Sequence, residues 1–233
     1  MVDAAFAATL WNPFFAKTGI RPEWIVPVLA SESGVNPAKP NAQGYPYYGI
    51  NQISGTYLQA RGIDPQTYLT WSASQQLAQI VTGYMQAQIG AFGALQSGTR
   101  VYQSNFLPAT LKTATSLDSV IATRPAAGCP AGKSSSFYCA NQVFDWNKQG
   151  VITVGDLAHY VALSANQSYV KNIIASAYAV APAGVGPETD PVYGLDFPGG
   201  SGASYTGPIL LALVGLAAIG GVAAYEAGVF DRR

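Results

Sequence analysis

Residues 207–225, GPILLALVGLAAIGGVAAY, run for 19 positions without a charge, and no other feature of the chain restricts its architecture as strongly. As a helix rising 1.5 Å per residue this run measures about 28 Å, close to the ~30 Å hydrocarbon core of a bilayer. Tyr205 and Tyr225 flank it where interfacial anchors sit, and Arg232 and Arg233 follow, which favours a cytoplasmic C-terminus. Gly215, Gly220 and Gly221 offer a small-residue face for helix association. Such a run either crosses a membrane or is buried inside a fold. The preceding stretch, 181–206, is too rich in proline and glycine to hold a helix tightly against a domain. The expectation is therefore a flexible linker over 181–206 and a transmembrane helix over 207–225, with the rest of the chain folding on its own. The start, MVDAAFAATLWNPFF, has neither a basic n-region nor a long apolar run, so delivery by a route other than ordinary secretion is expected.

Charge is scarce. Lysine plus arginine (12) balances aspartate plus glutamate (12), so the basic excess of a nucleic-acid binder is missing and no sequence-specific nucleic acid is expected as a partner. Fourteen tyrosines and many serines, threonines, asparagines and glutamines supply uncharged hydrogen bonding instead, which suits a neutral polar ligand such as a glycan. Proline and glycine concentrate at 34–49, 124–132 and 182–208, marking loops or linkers. No self-similarity at 20–50 residues is present, which argues against a repeat architecture.

Residues 22–33, PEWIVPVLASES, read as an amphipathic helix with proline in its first turns. Trp24, Ile25, Val28 and Leu29 form an apolar stripe, and Glu32 continues it at i+3 from Leu29 and i+4 from Val28. Gly34 fits the left-handed position after the helix, and Asn36-Pro37 blocks continuation. The last turn thus aims a carboxyl at the core, where burial disfavours its charged form and suits it to act as a general acid. Glu23, nine residues earlier and about 180° around, is expected to face solvent.

Two further features lie downstream. Cys129 and Cys139 enclose AGCPAGKSSSFYCA, which reads either as a loop closed by a disulfide or as two free thiols; with one distant histidine, His159, they do not make a zinc set. Residues 145–156, DWNKQGVITVGD, follow the twelve-residue calcium-loop template, with Asp145, Asn147, Gln149, the Val151 carbonyl and Asp156 as its ligands and Gly150 at the turn. Gln149 and Asp156 depart from the template and leave two formal negative charges. The loop is read as a calcium-loop fold kept as a structural turn, with calcium binding as the alternative. Residues 157–180 then read as another amphipathic helix.

Taken together, Glu32-Ser33-Gly34-Val35-Asn36-Pro37 and Gly49-Ile50-Asn51-Gln52-Ile53-Ser54 resemble the lytic transglycosylases of the lysozyme-like superfamily. That family shows a Glu-Ser ending a helix, an Asn-Pro turn, and a Gly-Leu-Met-Gln-Ile stretch some 15–20 residues on. Here Ile50-Asn51 replaces Leu-Met, and the family's Ala-Tyr-Asn triplet is missing. In its place stands Tyr102-Gln103-Ser104-Asn105-Phe106-Leu107-Pro108, similar to the form found in phage wall-degrading domains. The resemblance implies a catalytic role for Glu32, positioning by Ser33 and Gln52, and substrate contacts from Asn51 and Tyr48, with Tyr45 and Tyr47 beside it. Tyr102 is the first choice for a ring stacking near the sugar, and Asn105 the second.

The acids fit such a mechanism. In residues 1–110 they are Asp3, Glu23, Glu32 and Asp64 alone, with Asp64 in a Gly-Ile-Asp-Pro turn. Ordinary glycosidases need two carboxyls. The mechanism implied by the resemblance needs one and no cofactor: Glu32 protonates the glycosidic oxygen and then serves as base, while the substrate's own acetamido or 6-hydroxyl group attacks. The expected architecture is mainly α: a lysozyme-like catalytic domain over 1–125, a loop and helical extension over 126–180, the linker, and the C-terminal transmembrane helix. The implied setting is a phage virion and then the host cell envelope, with peptidoglycan strands, the membrane and other virion or ejection proteins as partners. The alternative is a virion structural or membrane-channel protein that keeps the fold without turnover.

Overall fold

The computed structural model describes residues 4–41, 44–131 and 136–187. The linker from 188 onward and the expected membrane helix at 207–225 lie outside the described residues. Among the described residues no helix is long and apolar enough to cross a membrane. The described part is mainly helical. In order it comprises α1 (Ala4–Thr9), α2 (Pro13–Thr18), α3 (Pro22–Ser33), a hairpin of β1 (Tyr47–Tyr48) and β2 (Ile53–Ser54), α4 (Gly55–Gln59), α5 (Pro65–Tyr68) and α6 (Ala73–Gln76). A π turn (Leu77–Val81) leads into α7 (Thr82–Phe92); then follow α8 (Gly98–Phe106), β3 (Val120–Thr123), α9 (Phe137–Ala140), β4 (Val151–Thr153), α10 (Val154–Ala165) and α11 (Ser168–Ala179).

Helix α3 is the pivot. Pro22 occupies its first turn, where its missing N–H costs nothing, and Pro27 sits inside, leaving the Glu23 carbonyl without its usual i+4 donor. Gly34 ends it at φ 70°, its N–H on the Ala30 carbonyl at 2.8 Å. Val35 stays left-handed at φ 57° and reaches the Leu29 carbonyl at 3.3 Å. A β-branched residue there is strained.

Because α8, α10 and α11 all pack on α3, the helix is buried on every side rather than along one stripe: Ile25, Val26, Val28 and Leu29 are fully buried. This corrects the expectation for Glu23. It is 3% exposed, and the Tyr178 hydroxyl on α11 donates to its Oε2 at 2.6 Å. The 180° argument holds for a helix lying on a core, not for one surrounded by it. The 126–180 segment shares that core, adding Leu157, Val161, Val170 and Ala177 to the cluster that holds Ile25 and Leu29. Just past α1, the Trp11 indole N–H reaches the Ala177 carbonyl of α11 at 2.7 Å.

Strands β3 and β4 pair antiparallel, with a bulge between Val120 and Ala122. Between them, Cys129 and Cys139 form a disulfide with a Cα–Cα distance of 5.2 Å, inside the usual range.

Candidate active site

Glu32 lies on the last turn of α3 and is 0% exposed. Its Oε1 accepts a hydrogen bond from Asn105 Nδ2 at 3.0 Å; its Oε2 has no partner among the described residues. Burial pushes the carboxyl up from 4.5 to about 8, although the Asn105 bond and the charge of nearby Lys39 both pull it down. Desolvation outweighs both because the side chain is fully withdrawn from water. At neutral pH the group is a carboxylic acid, able to donate a proton.

The neighbouring residue ties the acid to the 49–54 segment. Ser33 Oγ donates to the Ile50 carbonyl at 2.9 Å, and the Ile50 N–H donates to Gln76 Oε1, also at 2.9 Å. Gln76, at the end of α6, uses its Nε2 for the carbonyls of Pro37 and Tyr68, each at 2.9 Å. One fully buried amide thus joins the loops at Pro37 and Ile50 to the end of α5. Gly49 has to be glycine here: at φ 74° an added Cβ would lie 2.3 Å from Gln76 Oε1 and 2.6 Å from the Tyr68 ring.

Gln52, left-handed at φ 47°, turns its side chain back into its own loop. Its Nε2 donates to the carbonyls of Lys39 and Gly49 at 3.1 Å, and its Oε1 accepts from Asn41 Nδ2 at 3.3 Å. Asn51 is 0% exposed, and neither its Oδ1 nor its Nδ2 has a partner among the described residues. Burying an unsatisfied amide is costly. Of the three left-handed non-glycine residues among the described ones, Val35 and Gln52 follow Glu32 and Asn51 within three positions, the kind of clustering found at functional sites, while the third, Lys148, lies in the calcium-loop-like turn.

The structure joins Asn105 to Glu32 and Ser33 to the Ile50 carbonyl, keeps the Gln52 side chain within its own loop, and reverses the expected order of Tyr102 and Asn105. Tyr102 is 1% exposed, with its ring edge-on to Phe106 and Phe144 and its hydroxyl 2.9 Å from Ser31 Oγ. A ring enclosed by aromatic neighbours cannot stack on a sugar, so Tyr102 supports the site from behind while Asn105, one turn on, touches the acid. Of the tyrosines before the second motif, Tyr47 is buried, whereas Tyr45 and Tyr48 keep part of their surface. Sequence reasoning missed Gln76, Ser31 and Lys39. The partners of Gln76 lie 8 to 39 residues away, and no local pattern marks such a role.

In the calcium-loop-like turn, the Asp145 carboxylate accepts the N–H groups of Gln149 and Gly150 at 2.8 and 2.7 Å and the Tyr138 hydroxyl at 2.5 Å. Asp156 caps α10, accepting the Thr153 N–H and hydroxyl at 2.7 and 2.8 Å. Asn147 and Gln149 are exposed, and Val151 belongs to β4. Both carboxylates are engaged with donors of the turn itself, and no cluster of three metal-binding side chains occurs among the described residues.

No known family model matches the chain, and no match is found among curated proteins or solved structures. The functional reading therefore rests on the site.

Proposed function

We propose that the chain cleaves the MurNAc–GlcNAc bond of peptidoglycan by a single-carboxyl lytic transglycosylase mechanism, on a lysozyme-like fold. The observation that carries this reading is Glu32: a fully buried acid raised to about 8, held by one amide and flanked by a serine bonded to the Gly49–Ser54 segment. In the reaction the protonated carboxyl gives its proton to the glycosidic oxygen as the bond to the anomeric carbon breaks. The acetamido or 6-hydroxyl group of the same sugar supplies the electron pair, and the Glu32 carboxylate then takes the hydroxyl proton, leaving a 1,6-anhydro end. Asn105 fixes the carboxyl through Oε1, which leaves Oε2 to face the leaving oxygen. The unpartnered Asn51 amide offers a donor and an acceptor to the acetamido group.

The proposed setting is a phage virion whose protein opens the wall locally during genome ejection, held in the host envelope by residues 207–225 and working beside other virion proteins. A second reading is favoured by the completeness of Glu32's burial: a virion structural or membrane-channel protein in which the same fold serves assembly. Peptidoglycan clearing separates the two. The purified chain should clear a suspension, Glu32→Gln should reduce clearing by about 10²-fold or more, and the released muropeptides should be lighter than hydrolysed ones by one water. Clearing that persists in Glu32→Gln refutes the mechanism, and an inactive parent chain selects the second reading.

A further inference from the structure

A cleft of about 460 Å³, whose lining does not include Glu32, is formed by Arg124, Tyr138, Asp145, Trp146, Lys148 and Tyr160 among others. Its volume is in the range of small-ligand sites. Trp146 is 49% exposed, and its ring is stacked on the His159 imidazole at 4.6 Å and 16°. A large apolar ring backed on one side and half open on the other is a platform for a flat apolar surface, such as the face of a sugar.

The platform is rigidly held. The Trp146 N–H donates to the Phe144 carbonyl at 2.8 Å, and the Lys148 N–H donates to the Asp145 carbonyl at 3.1 Å. The Asp145 carboxylate closes the turn through Gln149, Gly150 and Tyr138. Across from it, the Arg124 N–H donates to the Gly150 carbonyl at 2.8 Å. Two exposed cations, Arg124 and Lys148, line the cleft with the Asp145 carboxylate, whose oxygens are taken up by its own turn and Tyr138, and Asp156 lies close enough to act on Tyr138 and Tyr160. The side of the cleft that favours an anion is therefore the one lined by Arg124 and Lys148. It is also coupled to the acid's surroundings: Tyr160 packs on Phe144 at 4.5 Å, Phe144 on Tyr102 at 5.8 Å, and Tyr102 meets Ser31 next to Glu32.

We propose that this cleft is a second glycan site that takes an anionic amino sugar of the N-acetylmuramic type, its ring on Trp146 and its lactyl or peptide carboxylate between Arg124 and Lys148. The calcium-loop-like turn would then serve to present Trp146 and Lys148. The choice of ligand rests on the peptidoglycan reading; the cleft and its charge do not.

The test uses the full chain in detergent micelles carrying Glu32→Gln, titrated with N-acetylmuramoyl dipeptide and followed by calorimetry and tryptophan fluorescence. Saturable binding is expected, weakened at least about tenfold by Trp146→Ala and by the pair Arg124→Gln and Lys148→Gln, roughly the loss of one good contact each. Trp146→Phe, which keeps a ring, should retain most of the affinity and guards against misfolding of the alanine variant. Neutral chitotriose should bind at least about tenfold more weakly than the dipeptide, and acetate should compete only weakly. Absence of dipeptide binding, equal affinity for acetate, or binding unchanged in both Trp146→Ala and the cation pair overturns the proposal. If binding occurs but chains with Glu32 intact never clear peptidoglycan, the site stands and the cleavage reading falls. If they clear peptidoglycan but no dipeptide binds, the site alone falls.

Discussion

Replacing Glu32 by glutamine should abolish catalysis and stabilise the protein at alkaline pH, and the second effect is the more searching. In the folded chain burial raises the carboxyl from 4.5 to about 8. Between those values the unfolded chain has lost the proton and the native one keeps it, so stability is greatest below about pH 4.5 and declines as pH rises through about 8. Each pH unit costs about 1.4 kcal/mol, which from pH 5 to 8 sums to at most about 4 kcal/mol. Glutamine has no proton to lose, and its amide oxygen can still accept the Asn105 bond. The difference in stability between the variant and the parent chain should therefore widen with pH, and half of the 4 kcal/mol would move the melting temperature by roughly 4–8 °C. Urea denaturation or thermal melts of both proteins at pH 5, 6, 7, 8 and 9 measure it. Parallel profiles would mean that Glu32 ionises as freely when folded as when unfolded, and the buried-acid argument would fail. The same titration predicts that activity falls above about pH 8, as the acid form is lost.

Asn105→Ala removes the hydrogen bond that lowers the Glu32 pKa, so the alkaline limb of the pH–rate profile should move above about 8 while the rate drops by roughly tenfold; a rate loss with an unmoved limb would contradict the contact. Gln76→Ala orphans the buried Ile50 N–H and frees the carbonyls of Pro37 and Tyr68, with an expected loss of about 2–4 kcal/mol in chemical denaturation; a loss under about 1 kcal/mol would show that the loops hold without it. Opening the disulfide by Cys129→Ala and Cys139→Ala, ten residues apart, should cost about 3 kcal/mol. Rapid thiol labelling of the parent chain without reductant would refute the pairing.

How far the sequence could be read varied with the range of the interactions involved. The span of α3, its proline start and its glycine end were legible because prolines and a left-handed glycine act within a few residues. The core-facing direction of Glu32 followed from the same periodicity. Glu23 was misplaced by that very argument, because periodicity reports one apolar stripe and cannot report a helix enclosed by three others. The exchange of roles between Tyr102 and Asn105 has a similar cause: both lie on α8, and only the position of Phe144, some 40 residues on, determines that the tyrosine ring is enclosed while the amide reaches the acid.

The amino-acid order by itself determined where α3 begins and ends, that one of its carboxyls turns inward, and that Cys129 and Cys139 lie close enough in the chain to be joined. Those outcomes depend on backbone chemistry acting over a few residues. Only the tertiary structure decided that the carboxyl is fully dehydrated, which oxygen Asn105 holds, that Gln76 ties the loops at Pro37 and Ile50 to the end of α5, and that Trp146 and two cations share a cleft. Each of these depends on groups tens of residues apart being excluded from water together, and solvent exclusion is a property of the packed chain that no short segment possesses.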